Sequence, residues 1–148
     1  MTEDLTGISD ETVERVYVSF ARQGLMAHLG ASLVAVRGGE VIIRLDGRPE
    51  LSQQHGYIHA GATSAIADSA GGYAALTLMD SGSEVLTVEY TVNLLAPARG
   101  DRLEAVGTVL RSGRTLTVCR VDVWAIGDEQ RTLVAAGQQT LIRVKANR

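Results

Sequence analysis

The run from Ile58 to Met79 is the feature that most restricts what this chain can become. It carries seven alanines between residues 60 and 75, two adjacent glycines at 71 and 72, and one acid, Asp68. It reads as a single long apolar helix whose small side chains let a second layer approach closely. The surroundings read as strands. "ASLVAVRGGEVIIRLDG" is a hairpin around Gly38-Gly39, since glycine accepts the positive φ that tight turns need. After the helix come "EVLTVEYTVNLLA", "DRLEAVGTVLR", "RTLTVCRVDVWAI" and "RTLVAAGQQTLIRV", separated by "PARG", "SG" and "GDEQ" turns. Ahead of the hairpin, Val13, Val16, Tyr17 and Phe20 follow a Ser9-Asp10 capping start at helical spacing, which predicts an amphipathic helix ending near Gly24. Residues 48 to 56 read as irregular. The order is helix, hairpin, long helix, four-stranded meander. That order predicts an α+β architecture: an antiparallel sheet with one face covered by the central helix.

Composition narrows the function classes. A chain of 148 residues, 45% hydrophobic, suits one domain. No apolar stretch approaches the roughly 20 residues of a membrane helix, and "MTEDLTGISDE" is acidic rather than basic then apolar, so a cytosolic protein with no membrane partner is expected. Fourteen basic against seventeen acidic residues and six aromatics leave neither a basic footprint nor stacking platforms, so no nucleic-acid partner is expected. Cys119 lies in an alternating run and reads as a small buried hydrophobe rather than a nucleophile.

At 100° per residue, Ile58, Ala62, Ile66, Tyr73 and Leu76 share one side of the helix, expected to pack on the sheet. Gly61, Ser64, Asp68, Gly71, Gly72 and Ala75 share the other. Two adjacent mid-helix glycines cost about 1 kcal/mol each relative to alanine, so a ligand or backbone is expected to approach there. Gly61, Ser64 and Gly72 become expected substrate contacts. Asp68, in a narrow channel, suits a general base or a nucleophile. The N–H groups of Ala60 and Gly61 open the helix at the positive end of its dipole, a cradle for a developing oxyanion. His55 and His59 are four apart, yet Gly56 interrupts a helix through both and no third ligand lies nearby. No metal site is expected, and His59 is read as shaping the helix entrance.

"HAGATSAIAD" followed by "GGYAA" resembles the HGG(x)6D segment of hotdog-fold acyl-CoA thioesterases, in particular the phenylacetyl-CoA (PaaI-like) subgroup. "LTVEYTVNLLAPARGDRLEAVGTVLRSGRTLTVCRVDVW" resembles that family's strand after the helix, its Pro-containing turn and the strands beyond. The resemblance spans about residues 25 to 145 and implies a hotdog fold: a curved antiparallel sheet around a long helix, here with an extra N-terminal helix over residues 1 to 24. It implies that the Ala60 N–H donates to the thioester carbonyl oxygen and that Asp68 activates water or attacks the carbonyl. It further implies that Gln53, where the family often has asparagine, orients water or carbonyl, and that Thr87 positions the acid. Ala60 stands where the family pattern usually has its first glycine. No cofactor is implied, coenzyme A being part of the substrate.

Ala60 and Asp68 are eight residues apart, about 12 Å along a helix, so one chain's Asp68 cannot meet a carbonyl held by its own Ala60 N–H. A two-fold dimer with antiparallel helices would supply each half from a different chain. The resemblance implies the same dimer, with dimers often pairing into tetramers. Arg99, Arg102, Arg111 and Arg114 gather in "PARGDR" and "RSGR", and Arg99, Arg111 and Arg114 are taken as expected contacts for the CoA phosphates. The expected function is an acyl-CoA thioesterase acting on an aromatic or medium-chain acyl group. Alternatives are a non-catalytic acyl-CoA sensor and a hydratase or dehydratase on the same fold.

Overall fold

The structure is a computed structural model and describes residues 7–147. The first six residues, which hold most of the acidic start and part of the expected N-terminal extension, lie outside them. In chain order the elements are α1 (Asp10–Ala21), α2 (Gly24–Leu29), β1 (Ala31–Arg37), β2 (Glu40–Asp46), a 3-10 turn (Pro49–Leu51), α3 (Ala60–Leu76), β3 (Ser83–Leu94), β4 (Arg102–Ser112), β5 (Leu116–Ile126) and β6 (Arg131–Lys145). The architecture is α+β: six antiparallel strands in the order β1-β2-β4-β5-β6-β3, with α3 against one face. This is the hotdog arrangement. Among the described residues no helix is long and apolar enough to cross a membrane.

The strands alternate as a half-covered sheet requires. Leu103, Ala105 and Gly107 of β4 and Thr117, Cys119, Val121, Val123 and Ala125 of β5 are buried toward the helix side. Gly39, at φ 76°, closes the β1-β2 hairpin. One expectation fails: the last four strands are not a meander. β4, β5 and β6 are, but β3 pairs with β6 at the far edge, while β4 pairs with β2. The "PARG" stretch is not a reversing turn. Leu95 N–H bonds to Val134 O, Ile58 N–H to Ala98 O, and Asp101 N–H to Ile126 O, so the segment crosses the end of the sheet.

Ser9 caps α1 as expected, its side chain accepting from Thr12 N–H. The helix stops at Ala21, and Gln23, extended at φ -77° and ψ 104°, opens the separate six-residue α2, which was not foreseen. α1 lies over the C-terminal half of α3. Val16 is fully buried, Phe20 meets the Tyr73 ring edge-on at 6.0 Å, and the Arg15 guanidinium donates to the carbonyls of Leu76, Met79 and Asp80. Leu76 O also accepts from Met79 N–H and Asp80 O from Ser83 N–H, so Arg15 ties down the turn that follows the helix.

α3 is shorter than the Ile58–Met79 expected, because the Ile58 and His59 N–H groups bond to Ala98 and Leu51 carbonyls. Its faces also differ from the helical-wheel reading. Gly71 and Ala75 face the sheet rather than an open groove: a Cβ on Gly71 would lie 3.1 Å from Val121 Cγ1, and Ala75 packs with Cys119 and Leu141. Tyr73 turns toward α1. The helix is sandwiched on two sides, so a single polar-apolar division does not describe it.

The closest approach of layers is at Gly107, where a Cβ would lie 2.4 Å from the Ala70 carbonyl carbon and oxygen and 2.5 Å from the Gly71 nitrogen. Backbone cannot yield as a side chain can. Gly107→Ala is therefore expected to lower the unfolding free energy by about 1–3 kcal/mol. Gly72→Ala, whose new methyl would meet only Leu141 Cδ2 at 3.7 Å, is expected to leave stability unchanged or raise it by up to about 1 kcal/mol. Urea unfolding of the two variants checks the contrast.

Candidate active site

Asp68 lies midway along α3, and its carboxylate is held from the sheet. Thr87 Oγ1 donates to Asp68 Oδ1 at 2.7 Å, and Gln139 Nε2 donates to the same oxygen at 3.0 Å. Gln139 Nε2 also lies 3.3 Å from the Asp68 carbonyl and 3.3 Å from Thr87 Oγ1. Thr87 reaches inward because it pairs with Leu141, whose side chain is buried, just before the register shift between Thr87 and Glu89. Asp68 Oδ2 has no protein hydrogen-bond partner among the described residues. Beside it opens a cavity of about 350 Å³ between α3 (Asp68, Gly72, Tyr73), β3 (Glu84–Thr87) and the N-terminal helices (Ser19, Gln23, Leu25, Met26).

The far wall of that cavity is polar and closed on itself. Gln23 Nε2 donates to the Tyr73 hydroxyl at 2.9 Å, Ser19 Oγ lies 3.1 Å from it, and Ser69 Oγ donates to Gln23 Oε1. Burial pushes the Tyr73 hydroxyl above its ordinary range, with the bonds from Ser19 and Gln23 pulling the other way. Tyr73 is a neutral phenol wherever the protein is folded near neutral pH.

The start of α3 lies in a different cavity, about 520 Å³, lined by Gln53, Tyr57, His59, Ala60 and Leu94–Ala98 among others. His59 is the N-cap, with Nδ1 accepting from Gly61 N–H at 2.7 Å. That contact corrects the expectation of two free donors: Gly61 is engaged, and its Cα is exposed rather than built into a pocket. The Ala60 N–H has no partner among the described residues and points from the helix's positive end. Gln53 Oε1 accepts from the His55 and Tyr57 N–H groups, shaping the loop that leads to the helix. His55 sits in this bend while His59 caps the helix, so the two imidazoles do not share a helical face.

Ala60 and Asp68 therefore occupy separate cavities of one chain, about 12 Å apart on an unbroken helix. Ser64 is half-buried and lines neither cavity, whereas Gly72 lines the second. The expected arginine cluster does not exist within one chain. Arg102 begins β4 and pairs with Glu104, while Arg111 and Arg114 lie at its other end, roughly 30 Å away. Arg99 alone adjoins a cavity, its guanidinium 4.6 Å over the Tyr57 ring and donating to the Tyr57 hydroxyl. Sequence reasoning missed Gln139. Its signal is readable afterwards: it shares alternation parity with the buried Leu141, an amide on the covered face of a strand.

Comparison with known proteins gives a consistent set. The family described as the thioesterase superfamily matches residues 55–132. A crystal structure of a thioesterase family protein from Silicibacter pomeroyi superposes with a TM-score of 0.89 at 41% identity, covering 91% of this chain and 99% of that one. The 1,4-dihydroxy-2-naphthoyl-CoA hydrolase of Listeria monocytogenes is 26% identical over 125 residues, 84% of this chain and 98% of its own. The E. coli PaaI protein from the phenylacetic acid degradation operon shares the fold, with a TM-score of 0.82 at 20% identity over 93% of this chain and 96% of that one.

Cys119 stands apart from both cavities. It is fully buried, its Sγ lies 3.4 Å from the Gly71 carbonyl, and burial pushes its thiol up to about 12. The thiolate is the reactive form, so the native protein is expected to give no reaction with a thiol reagent at mildly alkaline pH. The same reagent should titrate one thiol per chain after denaturation in guanidinium chloride.

Proposed function

The chain belongs to the thioesterase superfamily, and from that membership we propose that it hydrolyses an acyl-CoA, aromatic or medium-chain, to the free acid and CoA. Thioester hydrolysis is the activity its relatives' names carry; the PaaI-like substrate range and the residue roles are our reading. The observation that carries it is the one-sided anchoring of Asp68, with Oδ1 bound by Thr87 at 2.7 Å and Oδ2 beside a cavity with no hydrogen-bond partner among the described residues. In this reading Oδ2 takes a proton from a water that attacks the thioester carbonyl carbon, or attacks that carbon itself. The carbonyl oxygen becomes an oxyanion stabilised by an Ala60 N–H. Collapse breaks the C–S bond; on the water route the CoA thiolate takes up the proton held by Asp68, and on the nucleophilic route a water then hydrolyses the acyl–Asp68 anhydride, releasing the acid and supplying the thiolate's proton. Gln53 and His59 shape the donor end, and Arg99 is the arginine best sited for the CoA phosphates.

The active unit in this reading is a homodimer, with two dimers forming a tetramer as the family resemblance implies. The edge strand β3 supports it. Leu86, Val88, Tyr90, Leu94 and Leu95 are all more than half exposed or at half, and a long apolar edge is a liability unless paired. The Asp68 cavity takes in Glu84–Thr87 and the Ala60 cavity takes in Leu94–Ala96. Two β3 edges paired antiparallel about their middle would set one copy's Asp68 cavity against the other copy's Ala60 cavity. Each site would then draw its donor and its acid from different chains.

Thiol release from benzoyl-, phenylacetyl-, hexanoyl- and dodecanoyl-CoA tests the activity. Asp68→Asn is expected to abolish turnover while CoA-ester binding persists. Binding without turnover in the unaltered protein would favour a sensor, and water addition to an enoyl-CoA without thiol release a hydratase. Ala60→Pro removes the donor N–H at a helix position proline tolerates. Each homodimer should be inactive, yet an equal mixture, refolded together, should regain about a quarter of normal activity, since half the dimers are mixed and each has one intact site. No recovery in the mixture would defeat the shared-site arrangement.

A further inference from the structure

We infer that Gln139 is a positioning residue for the Asp68 carboxylate, clamping Oδ1 jointly with Thr87 so that only Oδ2 faces the reacting carbonyl; the inference rests on the reading of Asp68 as base or nucleophile. Gln139 is completely buried on β6, yet its two polar atoms fare differently. Nε2 serves Asp68 Oδ1, the Asp68 carbonyl and Thr87 Oγ1 at 3.0–3.3 Å. Oε1 is buried with no hydrogen-bond partner among the described residues. The reverse orientation of the amide would set Oε1 against a carboxylate oxygen, so the charge of Asp68 dictates which end faces it.

A half-satisfied buried amide is destabilising beside an apolar side chain of the same length. The helix makes a second concession at the same point. A Cβ on Gly71, three residues after Asp68, would fall 1.6 Å from Gln139 Oε1, so glycine, a poor helix former, is what admits the amide. Packing alone does not call for the amide: methionine at 139 would fill the space with no orphaned oxygen. Both costs converge on a further donor to one carboxylate oxygen. With Thr87 and Gln139 on Oδ1, rotation of the carboxyl group is blocked and the oxygen beside the cavity is always Oδ2. Charge-assisted bonds of this kind are stronger than neutral ones, which suits orientation of a reacting group.

The test uses the full chain and steady-state thiol release from whichever of the four acyl-CoAs above has the highest kcat/KM. Gln139→Met is expected to lower kcat about ten-fold with KM within about two-fold, and without loss of Tm. Gly71→Ala, which puts a methyl where Oε1 lies and 3.1 Å from Val121 Cγ1, is expected to displace the amide and lower kcat likewise. The double variant should be no slower than the slower single one, because both act through the same amide. A folded Gln139→Met with unaltered kcat, beside an inactive Asp68→Asn, overturns this inference alone, as do fully additive losses in the double variant. Should Gln139→Met fail to fold, an unaltered kcat in Gly71→Ala overturns it equally. An Asp68→Asn protein as active as the parent removes the Asp68 reading and this inference with it.

Discussion

The contact of Gly107 with the Ala70–Gly71 peptide sets the separation of helix and sheet, and the geometry around the acid depends on that separation. Thr87 and Gln139 have short side chains rooted in β3 and β6. They reach a carboxylate rooted in α3 only because the two layers touch backbone to backbone. A larger residue at 107 would fill space well enough, but it would lift the helix away from the donors that hold Asp68 Oδ1. Close packing and placement of the acid are thus one requirement. The buried alanines of α3, among them Ala67, Ala70, Ala74 and Ala75, serve it too, since small side chains there let the layers come together.

Much of this was legible in the residues. The hairpin, the four later strands, the central helix and the first helix follow from alternation, helical spacing and turn chemistry, which are local. Asp68 stood out as an acid among alanines, whereas Thr87 was pointed to only by the family resemblance, as the hydroxyl in the strand after the helix. What was not legible depends on where elements end up. β3 belongs beside β6, and nothing in "PARG" distinguishes a reversal from a crossing of the sheet's end. α2, at six residues, is shorter than the periodicity that would betray it. Gly71 was assigned to an open groove because a helical wheel has two sides, whereas α3 is covered on two of its sides at once. The four arginines looked like a cluster because sequence proximity across a turn says nothing about the far ends of a long strand. Gln139 was hidden by a neighbour of the same type, Gln138, which is exposed.

The two ends of α3 differ in how their backbone groups are met. At the start, a side chain two residues away caps one N–H and leaves another open, the economy expected where an anion must be received. At the finish, the carbonyls of Tyr73 and Ala75 accept from N–H groups of the following turn, Ala74 O accepts from Thr77 Oγ1, and Leu76 O also accepts from a cation on a distant helix. One end is prepared for something arriving; the other is shut. The same asymmetry separates the cavities, one beside two loops that bring Tyr57 and Arg99 together, the other walled by hydrogen-bonded Tyr73, Gln23, Ser19 and Ser69.

Arg15 closes that second end from a position more than sixty residues earlier in the chain. During synthesis the residues of α1 therefore emerge well before the carbonyls that Arg15 meets, and a segment this short gains its helical stability from packing rather than alone. The turn that leaves α3 gains the Arg15 contacts only once α1 docks on it. The first-made helix is thus held by contacts to a later-made turn, and the segment that would pass for an appendage buries Val16 and covers the Tyr73 ring at the end of the central helix.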